Sequence, residues 1–106
     1  MAVIKATDDD FSTLLNSNQR VVVKYYADWC GNCRLFAPKF KRMSDDEQFA
    51  DVAFVDVNAE TSPEARKIAG VTNLPFFAVF KGGQLVDTVA ASKEEAVRGL
   101  INKLTA

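Results

Sequence analysis

Val21-Val22-Val23-Lys24-Tyr25-Tyr26-Ala27, followed at once by Asp28-Trp29-Cys30-Gly31-Asn32-Cys33-Arg34-Leu35-Phe36-Ala37-Pro38, carries the pattern around which the rest of the chain is organised. The opening run is β-branched or aromatic almost without a break, which marks a central strand covered on both faces. Lys24 is its single exception and the oddest residue of the chain. Beyond the loop, Leu35, Phe36, Phe40 and Met43 recur at helical spacing. Pro38 falls inside that segment, where a missing amide and a ring clash should bend the helix. A strand therefore runs into a helix across a short loop that holds the chain's two cysteines.

Working outward, Val3 to Ala6 reads as a short strand. Thr7 with Asp8, Asp9 and Asp10 then places acceptors and negative charge at the start of a helix striped by Phe11, Leu14 and Leu15. Val52 to Val57 reads as another strand, and Thr61-Ser62-Pro63-Glu64 as the cap and first turn of a helix that stops at Gly70. Phe76 to Phe80 and Leu85 to Val89 flank Gly82-Gly83, a pair that accepts positive φ, so these strands form an antiparallel hairpin. Ser92 with Glu95 makes a capping box for a last helix whose inner face is Ala96, Val97, Leu100, Ile101 and Leu104. Asp45 to Glu47 read as helix-end charges. The order βαβαβαββα, with right-handed crossovers, predicts an α/β fold with a mixed sheet and helices on both faces.

At 106 residues, 48% apolar and 25% charged, the chain fits one domain over 1–106 with a single core. A net charge of -1 offers no field for nucleic acid or an anionic membrane, and the short apolar runs span no bilayer. The opening MAVIKATDDD lacks the apolar stretch of a secretory signal, so a cytoplasmic protein is expected. The absence of histidine removes imidazole bases, serine-histidine triads and the usual zinc ligand.

Chemistry must then come from the cysteines. Cys30 at a strand end, with a helix starting there, sits where amides and the helix dipole favour a thiolate, without any histidine. Cys30, the more exposed, is the expected nucleophile, and Cys33, one turn on, the resolving thiol within reach of a mixed disulfide. By itself a CxxC leaves open redox chemistry, half of a metal site, or an incidental thiol pair. A tetrahedral zinc site would have only carboxylates to complete it.

The run Ala27 to Arg34 with Ala37-Pro38 resembles the active-site strand, loop and kinked helix of the thioredoxin family, and Leu74-Pro75 resembles that family's cis-proline element. The resemblance covers essentially the whole chain. It implies a thioredoxin fold, five strands with four helices, and dithiol-disulfide exchange with protein disulfides. It further implies no bound cofactor beyond the redox-active disulfide, an electron-donating reductase, flavin-dependent, as partner, and action as a monomer. Trp29, Gly31, Asn32, Leu74, Pro75 and the Ala90-Ala91 turn would form the rim against which a substrate chain docks. A cis Pro75 would expose the Leu74 backbone for strand-like hydrogen bonding.

Four departures from the family pattern stand out. Asn32 replaces the usual proline of the motif, which changes loop stiffness and the balance of dithiol and disulfide. Lys24 stands where the family buries an aspartate beneath the second cysteine, and Phe54 where many relatives carry that aspartate's charged partner. Asp56, on the same face as Phe54, is a replacement partner for Lys24, and a cation there would stabilise thiolate. Asn73 and Ala91 occupy positions that are commonly glycine, reshaping the docking groove. Asp28 and Arg34 read as solvated flanking charges. The rival readings are a binding module with little turnover, a more oxidising oxidase or isomerase, and an iron-sulfur site shared by two chains.

Overall fold

Alternation along the central strand decides what each face of the sheet carries. The computed structural model describes residues 3–105. Its elements are β1 (Ile4–Ala6), α1 (Phe11–Ser17), β2 (Arg20–Tyr26), α2 (Gly31–Ser44), β3 (Ala53–Asn58), α3 (Pro63–Ala69), β4 (Phe76–Lys81), β5 (Gln84–Val89) and α4 (Glu94–Asn102). The strands form one mixed sheet in the order β1-β3-β2-β4-β5, with β2 parallel to β3 and antiparallel to β4. Val21, Val23 and Tyr25 pack with Phe11 and Leu15 of α1 and with Ala65 and Ala69 of α3. Val22, Phe54, Phe77 and Val79 pack on the opposite face against Phe36, Phe40 and Met43 of α2 and Val97, Leu100 and Ile101 of α4.

The predicted order of elements is the one found, with strand ends displaced by no more than one residue. A 3-10 turn at Glu47–Phe49 lay outside the sequence reading; the Asp46 side chain caps it by accepting from the Gln48 amide at 3.0 Å. The hairpin forms as expected, Gly82 and Gly83 taking φ of 58° and 82°.

Three local expectations need correction. Leu35 does not join the buried stripe of α2: it is 73% exposed, and Cys33, Phe36, Phe40 and Met43 line the inner face instead. The Ser92-Glu95 capping box does not form, because Lys93 is the N-cap of α4 and no side chain caps it. Nor does Ser62 cap α3 with its side chain. That end is held from elsewhere, since the Asp8 carboxylate accepts from the amides of Glu64 at 3.2 Å and Ala65 at 2.9 Å. Thr7 and Asp10 bond each other's turn, the Asp10 carboxylate accepting from the Thr7 amide, which frees Asp8 for this task.

Candidate functional site

The C-terminal end of β2 delivers the chain directly into the N-terminus of α2, and the cysteines sit at that junction. Cys30 is the N-cap of α2, extended at φ -82° and ψ 103°, and its Sγ accepts from the Cys33 amide at 3.2 Å. Here a sulfur takes the place a serine or aspartate oxygen usually fills at a helix start, among amides that have no partner in the helix. Cys30 and Cys33 are disulfide-bonded, with their Cα atoms 5.3 Å apart. Both are buried, and the expected difference in exposure is small, 5% against 3%. The Arg34 guanidinium donates to the Asp28 carbonyl and staples the loop to the first turn. Reduction would leave the same amide facing the Cys30 sulfur, which favours its thiolate.

Beside the disulfide lies a groove of about 190 Å³ in which Asn32, Asn73, Leu74, Pro75 and Ala91 come together. Ala90 and Ser92 complete its wall, Ser92 being a residue the sequence reading did not single out for this surface. The Leu74-Pro75 bond is cis. Trp29 and Gly31 do not line this groove. Trp29 is 67% exposed, and its indole N–H donates to Glu60 Oε2 at 2.9 Å, a tether from the loop after β3 that no sequence signal announced. Gly31 opens α2 at the surface, where an added Cβ would meet nothing within 4 Å.

On the other side, a cavity of about 250 Å³ reaches Cys33 and is lined also by Lys24, Tyr26, Arg34 and Asp56. Lys24, only 3% exposed, is a register partner of Asp56 on the neighbouring parallel strand. Its Nζ lies 3.4 Å from Asp56 Oδ1 and 5.3 Å and 5.8 Å from the ring centroids of Phe40 and Tyr26. Asp56 Oδ1 is buried and makes no aligned hydrogen bond, so the pair is held mainly by charge. Burial pushes the Asp56 carboxyl above its ordinary range, opposed by the positive charges of Lys24 and Lys5. Burial, then the charges of Asp56 and Asp28, raises the Tyr26 phenol. Asp56 thus stands where the sequence placed it, as the partner of Lys24. Phe54 is core, packed against Phe40 with centroids 5.1 Å apart.

Among the described residues, no cluster of three or more histidine, cysteine, aspartate or glutamate side chains could hold a metal ion. No helix among them is long and apolar enough to cross a membrane.

A disulfide-bonded Cys-x-x-Cys pair whose first sulfur caps a helix, on a mixed sheet of this order, can be set against known proteins. The thioredoxin family model matches residues 2–104. This chain belongs to the thioredoxin family. It is 34% identical over 96 residues to a thioredoxin of Mycobacterium tuberculosis, covering 90% of this chain and 82% of that one. The crystal structure of a Malassezia sympodialis thioredoxin superposes with a TM-score of 0.89 at 27% identity, covering 100% of this chain and 96% of the other. A chain from a study of thiol resolution in yeast mitochondrial 1-Cys peroxiredoxin through glutathione/thioredoxin systems superposes at 0.85 with 28% identity, over 95% of this chain and 94% of that one. Family and disulfide together make this thioredoxin-family protein a thiol-disulfide oxidoreductase acting on protein disulfides. Its redox centre is the Cys30–Cys33 pair and needs no bound cofactor.

Proposed function

We propose that the chain works in the reducing direction, with Cys30 as the attacking and Cys33 as the resolving thiol. The observation that carries the thiol roles is the Cys30 sulfur at the helix N-cap, accepting from the Cys33 amide, and the reducing direction is supported by the chain's place in the thioredoxin family. In the reduced protein the Cys30 thiolate attacks one sulfur of a substrate disulfide, and the pair in that bond leaves on the other sulfur. Cys33 then loses its proton and attacks Cys30 Sγ, so the second substrate sulfur leaves as thiolate and the Cys30–Cys33 bond closes. The dithiol has given up two electrons and the substrate has gained them.

The groove around Asn32, Asn73, Leu74, Pro75 and Ala91 is the proposed seat for the substrate chain, the Leu74 backbone offering strand-like hydrogen bonds. Restoring the dithiol calls for an electron-donating reductase, for which a flavin enzyme is the proposed class, and the working compartment is a reducing one such as the cytoplasm.

Reduction of insulin disulfides by the protein, with dithiothreitol as donor, tests the assignment. Cys30→Ser should abolish turnover, and Cys33→Ser should accumulate a covalent adduct detectable by mass. Turnover surviving in Cys30→Ser, or an adduct forming on Cys33, would reverse the roles. An equilibrium potential near that of cytosolic reductants supports reduction, whereas a strongly oxidising value assigns the chain to disulfide formation.

A further inference from the structure

Closing the Cys30–Cys33 bond requires Cys33 to give up a proton, and Cys33 is buried with no histidine anywhere in the chain. What receives that proton must lie along the one cavity named above that touches Cys33. Two carboxylates line it. Asp28 is exposed at the end of the loop, whereas the Asp56 side chain is 18% exposed, its buried Oδ1 facing the Lys24 ammonium at 3.4 Å without an aligned hydrogen bond. We propose that Asp56 is the proton acceptor for Cys33 in the resolving step, reached across the cavity the two residues share, and that Lys24 is a positioning residue that holds its carboxylate there.

The geometry gives each partner a distinct place. Lys24, from β2, is anchored between the Phe40 and Tyr26 rings and fixes Asp56 by charge. Asp56, from β3, is the more open of the two, and the cavity has room for several waters to carry a proton between sulfur and carboxylate. In the step itself the Cys33 S–H proton passes to the Asp56 carboxylate and the sulfur's electron pair forms the bond to Cys30 Sγ. The Cys30–substrate bond breaks, its pair leaving on the substrate sulfur, and Asp56 returns its proton to solvent. A carboxyl lifted by burial is the better matched to a thiol for such a transfer. The charged and titratable groups facing Asp56 are Lys24 and Tyr26 from β2, Lys5 from β1, Asp28 from the loop, and Cys33 and Arg34 from α2.

This inference rests on Cys33 being the resolving thiol, and the test separates the two. Reduced protein is mixed with the chromogenic nitrobenzoate disulfide used in thiol assays. A first burst of coloured thiolate reports attack by Cys30, and a second reports attack by Cys33 on the mixed disulfide. In Asp56→Asn the first burst should stay within twofold of the parent. The second should slow by about 10²-fold at neutral pH and lose the low-pH limb of its rate profile. Asp56→Glu should recover part of the rate, and Lys24→Met should keep the limb but move it to higher pH. A second burst of unchanged rate, or one slowed with its pH profile intact, overturns the role of Asp56; loss of the first burst in the parent overturns the thiol assignment and this inference with it. Should Asp56→Asn fail to fold, the Asp56 carboxyl carbon is titrated by NMR in the parent. Midpoints that differ between dithiol and disulfide forms support the coupling, and identical midpoints overturn it.

Discussion

Lys24 and Asp56 are register partners on adjacent parallel strands, and their charged groups meet 3.4 Å apart on the wall of the cavity that touches Cys33. Each makes the other tolerable. An ammonium 3% exposed among Phe40 and Tyr26 has a carboxylate as its only ion-pair partner among the described residues, and that carboxylate accepts no aligned hydrogen bond.

Breaking the pair strands a charge, whereas removing both ends does not. Lys24→Met should therefore lower stability by about 3 kcal/mol, and the double variant with Asp56→Asn should recover most of the loss. Denaturant titration at pH 7 measures both, and a single variant within about 0.5 kcal/mol of the parent removes the pair from the stability of the fold.

The pH dependence has a definite sign. Burial raises the Asp56 carboxyl in the folded state, so between its ordinary value of about 3.9 and the raised one the folded chain binds more protons than the unfolded chain. The contribution of Asp56 is fully present below that window and is lost as pH rises through it. Asp56→Asn should flatten the stability curve across the window, and an equally steep curve in the variant assigns the slope to other groups.

The place of the lysine also leads to a prediction for the attacking sulfur. Its ammonium shares a cavity with Cys33, and a cation near the disulfide favours thiolate. Thiolate absorbance of the reduced protein should show the Cys30 pKa rising in Lys24→Met. An unchanged or lower value confines the lysine to holding Asp56.

Asp8 reaches from the start of α1 to two amides of α3, at 3.2 and 2.9 Å. Asp8→Ala should cost about 1 kcal/mol, the usual worth of an N-cap, with faster hydrogen exchange confined to the first turn of α3. Faster exchange spread evenly over the sheet would point to a different cause.

Phe77 joins the sheet to the helix that carries the cysteines, its ring 5.0 Å from Phe36 and 5.8 Å from Phe40. Phe77→Ala should destabilise by about 3–5 kcal/mol. Leu35→Ala, on the exposed side of the same helix, should stay within about 0.5 kcal/mol. A large loss from Leu35 and a small one from Phe77 would invert the packing described.

The sheet was legible because β2 and β4 are dense in apolar residues and Gly82-Gly83 can only turn. The redox pair was legible from the CxxC spacing once the family resemblance of the surrounding residues was added, and the Lys24–Asp56 partnership from strand alternation. The features that escaped are those in which partners meet across long stretches of chain. Asp8 caps a helix 56 and 57 residues away, Glu60 holds Trp29 from 31 residues on, and Ser92 joins Asn32 along the groove. Local capping rules favoured Ser62 and Ser92, and tertiary geometry overrode both. Leu35 was misplaced because a helical stripe read from apolar residues alone includes neighbours one position off the buried face, where an exposed leucine is tolerated.

The groove along Pro75 and the cavity behind Cys33 share no lining residue. On the proposed mechanism, electrons and protons would therefore have separate exits. A bound protein lying over Leu74 and Ala91 can cover the sulfurs while the opposite opening stays in touch with bulk water. With Asp56 as the proton acceptor, acidity in the surroundings would tune the second half of the exchange even while the complex is closed, and the lifetime of that complex would become a readout of ambient pH.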